Sequence, residues 1–228
     1  MLLDGISIKG SYHDQNQDSY KCKKLDKGFV VALSDGLGSK KNSKVGSSLL
    51  CESAIVIAEQ LKDSLRTISP EEYIHRVYDS WIKEIRNYEI RECYATMLIF
   101  LVYSGKIMAA RLGDGFIGIW ADNYVKILFD RKEDYFANET DCLTENIDFD
   151  KIELYELEAS ELHGGVLCSD GVGIGNMTET ELLNFTRDFV EGYCDMSQSE
   201  VTSDIGEWLK DWPGSDDKTL AYFVSERN

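Results

Sequence analysis

The sequence predicts an α+β fold with largely antiparallel sheets, and three observations support this class. Apolar runs rich in β-branched residues indicate many strands, apolar residues at helical spacing indicate helices, and the helices stand in two pairs. A helix after every strand would instead indicate a doubly wound parallel sheet. Each helix pair could therefore cover one face of a two-sheet sandwich.

The strands are predicted from apolar runs and from alternating polarity. In chain order they occupy residues 6–9, a segment that resumes near 19, then 28–34, 94–103, 106–112, 116–121, 125–129, 152–157, 166–169 and 219–224. The run at 28–34 is continuous, which is typical of a strand buried on both faces. Ser104-Gly105 and Asp114-Gly115 predict tight turns between strands of the middle group.

The helices are predicted from apolar residues at helical spacing. The first follows a loop rich in glycine, serine and lysine, and Asn42 or Ser43 would cap its first turn. The second begins at Pro70, and its apolar and aromatic stripe is expected to pack against a sheet as far as Tyr88. Residues 179–190 and 201–212 predict the second pair of helices.

Composition indicates one domain that spans residues 1–228. The length of 228 residues and a hydrophobic content of 43% allow a sizeable core, and two prolines leave no obvious linker. The formal net charge of −17 argues against a nucleic-acid partner, because phosphate backbones demand a basic surface. The same charge argues against an anionic membrane surface.

Two further features predict a cytoplasmic protein. The N-terminal residues show no basic flank followed by an apolar stretch, and no segment is apolar enough to span a bilayer. The six cysteines are scattered singly, without a Cys-x-x-Cys pair. This usage fits reduced thiols in a reducing compartment.

An aspartate stands at the end of four apolar strands. Asp35, Asp114 and Asp170 follow predicted strands, and Asp216 precedes the last one. Strands that end in carboxylates can bring acidic groups together at one sheet edge, where the charges raise one another's pKa. A hard divalent cation is the usual compensation. A single Asp-Gly pair is more often a hairpin turn, but four such positions favour a metal site.

The acidic motifs belong to a longer series of segments. They are Gly10-Ser11-Tyr12-His13 with Asn16-Gln17-Asp18, residues 31–39 with Ser43 and Gly46, Ala95-Thr96 with Gly113-Asp114-Gly115, Cys168-Ser169-Asp170-Gly171, and residues 216–220. In these segments and their order the sequence resembles the metal-dependent protein phosphatases of the 2C type, most closely their compact bacterial branch. The resemblance covers residues 8 to 224. It implies an αββα four-layer sandwich of two mainly antiparallel sheets flanked by helix pairs.

The resemblance also implies a centre of two Mg²⁺ or Mn²⁺ ions at one end of the paired sheets. Asp35 would bridge both ions, and the carbonyl of Gly36 would contact one of them. Asp170 and Asp216 would hold the other ion. Asp114 matches the position that joins Asp170 around a third, weaker ion.

Other matched positions depart from the family pattern. Asp18 matches an acidic position near the second ion, whereas Gln17 replaces a glutamate and can coordinate a cation without adding charge. His13 stands in place of a phosphate-binding arginine, and Leu37 in place of a histidine proposed as general acid. Protonation of the leaving oxygen is then left to His13 or to a metal-bound water, unless His13 only ties down its loop. Thr96 is expected to pack in the core.

The activity implied is hydrolysis of phosphoserine or phosphothreonine by water activated between the ions, with His13, Asp18 and Asp35 as the catalytic group. Phosphorylated proteins are the implied substrates, and a cognate Ser/Thr kinase is an expected partner. One alternative is a catalytically silent relative that serves as a binding module; others are a structural domain and a phosphatase for small molecules. Residues 130–158 lie where the family carries a variable flap, so Arg131 and Lys132 are candidates for substrate specificity.

Overall fold

The computed structural model describes residues 1–130, 140–172 and 177–226. The strands are β1 (Leu2–Ile8), β2 (Ser19–Leu25), β3 (Gly28–Ser34), β4 (Met97–Tyr103), β5 (Lys106–Leu112), β6 (Phe116–Ala121), β7 (Tyr124–Leu128), β8 (Glu153–Glu158), β9 (Leu162–Cys168) and β10 (Lys218–Val224). The α-helices are α1 (Ser43–Gln60), α2 (Pro70–Ile85), α3 (Glu179–Tyr193) and α4 (Gln198–Asp211). Every predicted strand and helix is present, and the bounds differ mainly at β1, β4, β9, α3 and α4.

The strands form two five-stranded antiparallel sheets. Sheet I has the order β1-β10-β9-β6-β7, and sheet II has the order β2-β3-β4-β5-β8. In sheet II, Val31 of the continuous apolar strand β3 pairs with Cys22 on one side and Phe100 on the other. The two sheets pack face to face, and the rings of Phe100 and Phe223 stack between them with centroids 4.2 Å apart.

The helices cover the outer faces of this sandwich. The first pair packs on sheet II around Leu50 and the fully buried Trp81, and the second pair packs on sheet I around Leu182 and Ile205. The result is an αββα four-layer architecture, so the predicted fold class is confirmed. Among the helices of the described ranges, none is both long and apolar enough to cross a membrane.

Helix α1 packs through small side chains rather than through a broad apolar stripe. Gly46 and Ala54 are among its buried residues, and a Cβ on Gly46 would lie 1.9 Å from the Cys93 carbonyl oxygen. Such close approach of two backbones requires glycine at this position. The expected cap is wrong, because within the described ranges Asn42 makes no side-chain cap bond and the buried hydroxyl of Ser43 has no partner.

Helix α2 begins at Pro70 as predicted, and the Ser69 hydroxyl accepts the Glu72 amide as an N-cap. The expected stripe does not extend to Tyr88. The helix ends at Ile85, the chain turns there, and the Tyr88 side chain is 45% exposed. This aromatic residue therefore lies outside the core that the helical spacing predicted.

Two predicted turns have different structures. Ser104-Gly105 is a hairpin turn between β4 and β5, and both residues have positive φ. Asp114-Gly115 is not a hairpin turn, because it connects β5 of sheet II to β6 of sheet I. The chain therefore crosses between the sheets at an acidic residue.

Candidate metal centre

Three aspartates that are far apart in the sequence meet at one end of the sandwich. Asp35 follows β3 and Asp114 follows β5 in sheet II, whereas Asp170 follows β9 in sheet I. One carboxylate oxygen of each lies within 4.8 Å of the other two, and all three residues are half-buried. Oxygen ligands lie about 2.0–2.6 Å from one hard cation and therefore about 3–5 Å from one another, so this spacing suits a shared ion.

Neighbouring groups of the protein do little to offset the negative charge of these carboxylates. Burial, and then the charges of Asp18 and Asp170, raise the pKa of Asp35 well above its ordinary value. Burial, followed by the charges of Asp114 and Asp216, raises the pKa of Asp170 to about 7. Crowded carboxylates of this kind ionise fully at neutral pH when positive charge is added, which a divalent cation supplies.

Asp18 lies next to Asp35 and is 1% exposed. Its Oδ2 atom accepts the Ser169 hydroxyl at 2.8 Å, and burial raises its pKa. Its Oδ1 atom is buried and meets no hydrogen-bond partner of good geometry among the residues that the structure describes. A buried acceptor without a partner is costly, and a cation at this end of the sheets would satisfy it.

Asp35 is held by Thr96, which lies just before β4. The Asp35 amide donates to Thr96 Oγ1 at 2.9 Å, and the Thr96 amide donates to the Asp35 carbonyl at 2.7 Å. Gly36 pairs with Ala95 in an isolated antiparallel bridge. Its two hydrogen bonds run from the Thr96 amide to the Asp35 carbonyl and from the Leu37 amide to the Tyr94 carbonyl. Neither bond uses the Gly36 carbonyl, which is compatible with its predicted role as a ligand. Thr96 is buried, as predicted, and it also fixes the Asp35 backbone through these two hydrogen bonds.

Asp114 is anchored by a residue that sequence reasoning missed. The hydroxyl of Thr140 donates to Asp114 Oδ2 at 2.8 Å. The residue before Asp114 is also held in place. The Arg111 guanidinium donates to the Gly113 carbonyl and pairs with Glu153 at 2.9 Å. A lone threonine in a polar connection carries no recognisable signal, so its contact with Asp114 is visible only in the structure.

His13 and Gln17 lie beside the loop that follows Asp35. A Cβ built on Gly38 would lie 2.7 Å from His13 Nε2 and 3.6 Å from Gln17 Oε1. The Tyr12 ring packs edge-on against the imidazole and is 75% exposed. The structure therefore brings the two predicted residues of this N-terminal loop together, next to the end of β3 that carries Asp35.

Asp216 is outside the group of three aspartates, although its charge contributes to the raised pKa of Asp170. Its carboxylate accepts the amide of Asp217 at 2.9 Å. Asp217 was not assigned a role from the sequence, yet it is 2% exposed and accepts two amides of the N-terminal loop. Arg131 and Lys132, the specificity candidates, lie outside the described residues.

The donor set fits a hard divalent cation. The three carboxylates and the Gly36 carbonyl all present oxygen, the ligand atom that Mg²⁺ and Mn²⁺ prefer. Within the described ranges, this is the one cluster of three or more His, Cys, Asp or Glu side chains with metal-binding spacing. Its donors come from both sheets, so a bound ion would also join the two layers.

Two antiparallel sheets between helix pairs, with this acidic cluster at one end, define a protein of αββα architecture with a candidate metal site. The family model described as Protein phosphatase 2C matches residues 11–212. The chain belongs to the protein phosphatase 2C family, as its motifs predict.

Solved structures with the same fold include bacterial phosphatases. The chain is similar to the serine/threonine phosphatase Stp1 from Staphylococcus aureus, with 14% identity, a TM-score of 0.70, and coverage of 100% of this chain and 96% of that one. It is also similar to the catalytic domain of the phosphatase PstP in complex with two manganese ions, with 18% identity, a TM-score of 0.65, and coverage of 99% and 100%. At these identities the likeness shows the fold alone. A comparison with curated proteins gives no match.

Proposed function

We propose that the protein is a metal-dependent protein serine/threonine phosphatase. The observation that carries the proposal is the convergence of Asp35, Asp114 and Asp170 from both sheets. Beside them lies the buried Oδ1 atom of Asp18, which has no hydrogen-bond partner within the described part of the chain. Membership of the protein phosphatase 2C family supports this reaction class. The PstP structure with two manganese ions supports a centre of two Mg²⁺ or Mn²⁺ ions.

In this proposal each acidic residue has a role at the centre. Asp35 and the carbonyl of Gly36 would help to hold the ions, together with Asp170 and Asp216. Asp114, which lies beside Asp170, contributes to a third and weaker position. When bound, such ions neutralise the phosphoryl oxygens and lower the pKa of water toward neutrality.

The remaining residues position the phosphate ester and handle its leaving group. His13, next to Gly38, can donate a proton to the departing serine or threonine oxygen when it is protonated. Gln17 places a neutral amide beside it, which can bind a cation or orient a phosphate without adding negative charge. Asp18, oriented by Ser169, keeps a carboxylate next to Asp35.

The proposed substrates are phosphorylated proteins, and the proposed partner is the Ser/Thr kinase that produces them. All six cysteines are free, which supports the proposal of a reducing, cytoplasmic location. The formal charge of −17 disfavours nucleic acid and anionic membranes as partners.

The test is phosphate release from phosphoserine, phosphothreonine and phosphotyrosine peptides in Mn²⁺, in Mg²⁺ or in EDTA. We expect metal-dependent hydrolysis of the first two peptides, and we expect Asp35→Asn and Asp170→Asn to abolish it without unfolding the protein. Full activity of both variants would contradict the proposal. Manganese binding without turnover by the wild type would favour the catalytically silent binding module.

A matched control removes the same charge far from the centre. β6 begins at Phe116, which pairs with Cys168 two residues before Asp170, and it ends at Ala121. Asp122 therefore lies at the far end of this strand. Asp122→Asn should retain wild-type hydrolysis, which separates an effect at the metal centre from an effect of net charge.

A further inference from the structure

The N-terminal loop, residues 10–18, closes on a single carboxylate. The Gly10 amide donates to Asp217 Oδ1 at 2.8 Å, and the Gln17 amide donates to Asp217 Oδ2 at 2.6 Å. Asp217 is 2% exposed. The two oxygens of one buried side chain therefore hold the beginning and the end of the loop.

The backbone of the same segment reinforces this contact. The amides of Ser11 and Tyr12 both donate to the Ser215 carbonyl, at 2.8 and 3.0 Å. A Cβ on Gly10 would lie 2.3 Å from the carbonyl oxygens of Ser215 and Asp216, so the loop lies directly on residues 215–217. The loop is thus bound to the segment that also supplies the proposed ligand Asp216.

The loop carries His13, whose ring packs against Gly38 in the connection after Asp35. We propose that Asp217 is a positioning residue, which closes the loop so that His13 stands beside the metal-binding strand end. This inference rests on the proposed function for the role of His13. The closure of the loop itself rests on the hydrogen bonds alone.

A carboxylate suits this position better than an amide. Each oxygen of Asp217 receives one backbone N–H, whereas an asparagine has one acceptor oxygen and an NH₂ group that would face the other N–H. Asp217→Asn therefore removes one of the two hydrogen bonds and adds a donor–donor contact with almost no change of volume.

The main test is a double-mutant cycle with two substrates. His13→Ala should slow phosphoserine peptide hydrolysis by about 100-fold, and Asp217→Asn by about tenfold, because proton donation to the leaving oxygen is impaired. The hydrolysis of p-nitrophenyl phosphate, whose leaving group needs little protonation, should be slowed much less by either substitution. If Asp217 acts through His13, the double variant should be no more than about twofold slower than His13→Ala. A double loss equal to the product of the single losses would overturn the inference.

Amide hydrogen exchange tests the closure independently of activity. In the wild type the Gly10 and Gln17 amides should be protected, and in Asp217→Asn at least one should exchange about tenfold faster while the β3 amides stay unchanged. Unprotected amides in the wild type, or unchanged exchange in the variant, would overturn the inference. A wild type without phosphatase activity would instead refute the proposed function, and the exchange result would still decide the closure.

Two further variants complete the design. Asp122 accepts the Ser160 and Glu161 amides through Oδ1 alone, so Asp122→Asn keeps its acceptor, removes the same charge and should behave as the wild type. Should Asp217→Asn fail to fold, Gly10→Ala displaces the loop from residues 215–217 by a different route. Gly10→Ala should slow hydrolysis of the phosphoserine peptide more than hydrolysis of p-nitrophenyl phosphate. Equal slowing of both reactions would count against the inference.

Discussion

The hydroxyl of Ser169 donates a 2.8 Å hydrogen bond to Asp18 Oδ2 and links the two sheets at the candidate metal centre. Asp18 immediately precedes β2 of sheet II, and Ser169 immediately follows β9 of sheet I. The bond occupies one oxygen of a buried carboxylate, while the other, Oδ1, has no hydrogen-bond partner in residues 1–130, 140–172 and 177–226. A residue outside the group of three aspartates thus orients an acidic side chain next to Asp35.

Ser169→Ala should weaken manganese binding by about tenfold, because a hydrogen bond to a charged group contributes roughly 1.5–3 kcal/mol. Titration calorimetry of the metal-free protein measures this change. Ser53→Ala is the matched control, since the Ser53 hydroxyl is also buried but forms no hydrogen bond with any described residue. Equal manganese affinity in the two variants would rule out the orienting role of Ser169.

Thr140→Val should affect the weaker metal position selectively. The variant keeps the shape of the side chain but removes the hydroxyl that donates to Asp114 Oδ2. We expect manganese to activate the enzyme in a tighter and a weaker phase, the weaker one reflecting the position near Asp114. The manganese concentration that half-activates the weaker phase should rise about fivefold to tenfold, and that of the tighter phase should not change. Activity measured against manganese concentration tests this, and Thr140→Ser should restore the wild-type curve. Identical curves for the Val and Ser variants would contradict it.

The metal-free protein should lose stability as the pH rises from 5 to 8. The pKa values of Asp18, Asp35 and Asp170 are raised in the fold, mainly by burial, and that of Asp170 to about 7. A carboxyl with a raised pKa stabilises the fold while it is protonated, and this contribution is lost as the pH rises through its folded pKa. The melting temperature in EDTA should therefore fall across this range.

Two comparisons check the origin of this pH dependence. Saturating manganese should remove most of the fall, because the bound cation replaces the protons. Asp170→Asn should make the fall shallower in EDTA. A melting temperature that rises from pH 5 to 8 in EDTA would show that these carboxyl groups are compensated by the protein itself.

Two helical glycines should respond oppositely to alanine. Gly46→Ala places a Cβ 1.9 Å from the Cys93 carbonyl oxygen and should lower the free energy of unfolding by about 1–3 kcal/mol. Gly206 in α4 has no atom within 4 Å of such a Cβ, so Gly206→Ala should raise it by about 0.5–1 kcal/mol. Urea denaturation measures both. Destabilisation by the two substitutions alike would contradict the packing account of α1.

Local patterns explain which elements could be predicted from the sequence. The continuous apolar run of β3 and the start of α2 at Ser69-Pro70 are local signals, and both are confirmed. The beginning of β9 was missed because Gly164 and Gly165 carry no apolar signal. They nevertheless pair with β10. Glycine is required there because a Cβ on Gly164 would clash with Val190 and the Phe223 carbonyl, and a Cβ on Gly165 would clash with the Phe223 ring and the Gly118 carbonyl.

The sequence by itself determined the α+β class, the family and the acidic residues at the strand ends, because strand patterns and short motifs are encoded locally. Only the tertiary structure decided that Asp35, Asp114 and Asp170 share one cluster and that Asp216 stands outside it. Only the structure also revealed that Ser169 orients an aspartate 151 positions away. Such contacts depend on how the two sheets pack against each other, and local residue spacing does not encode that packing.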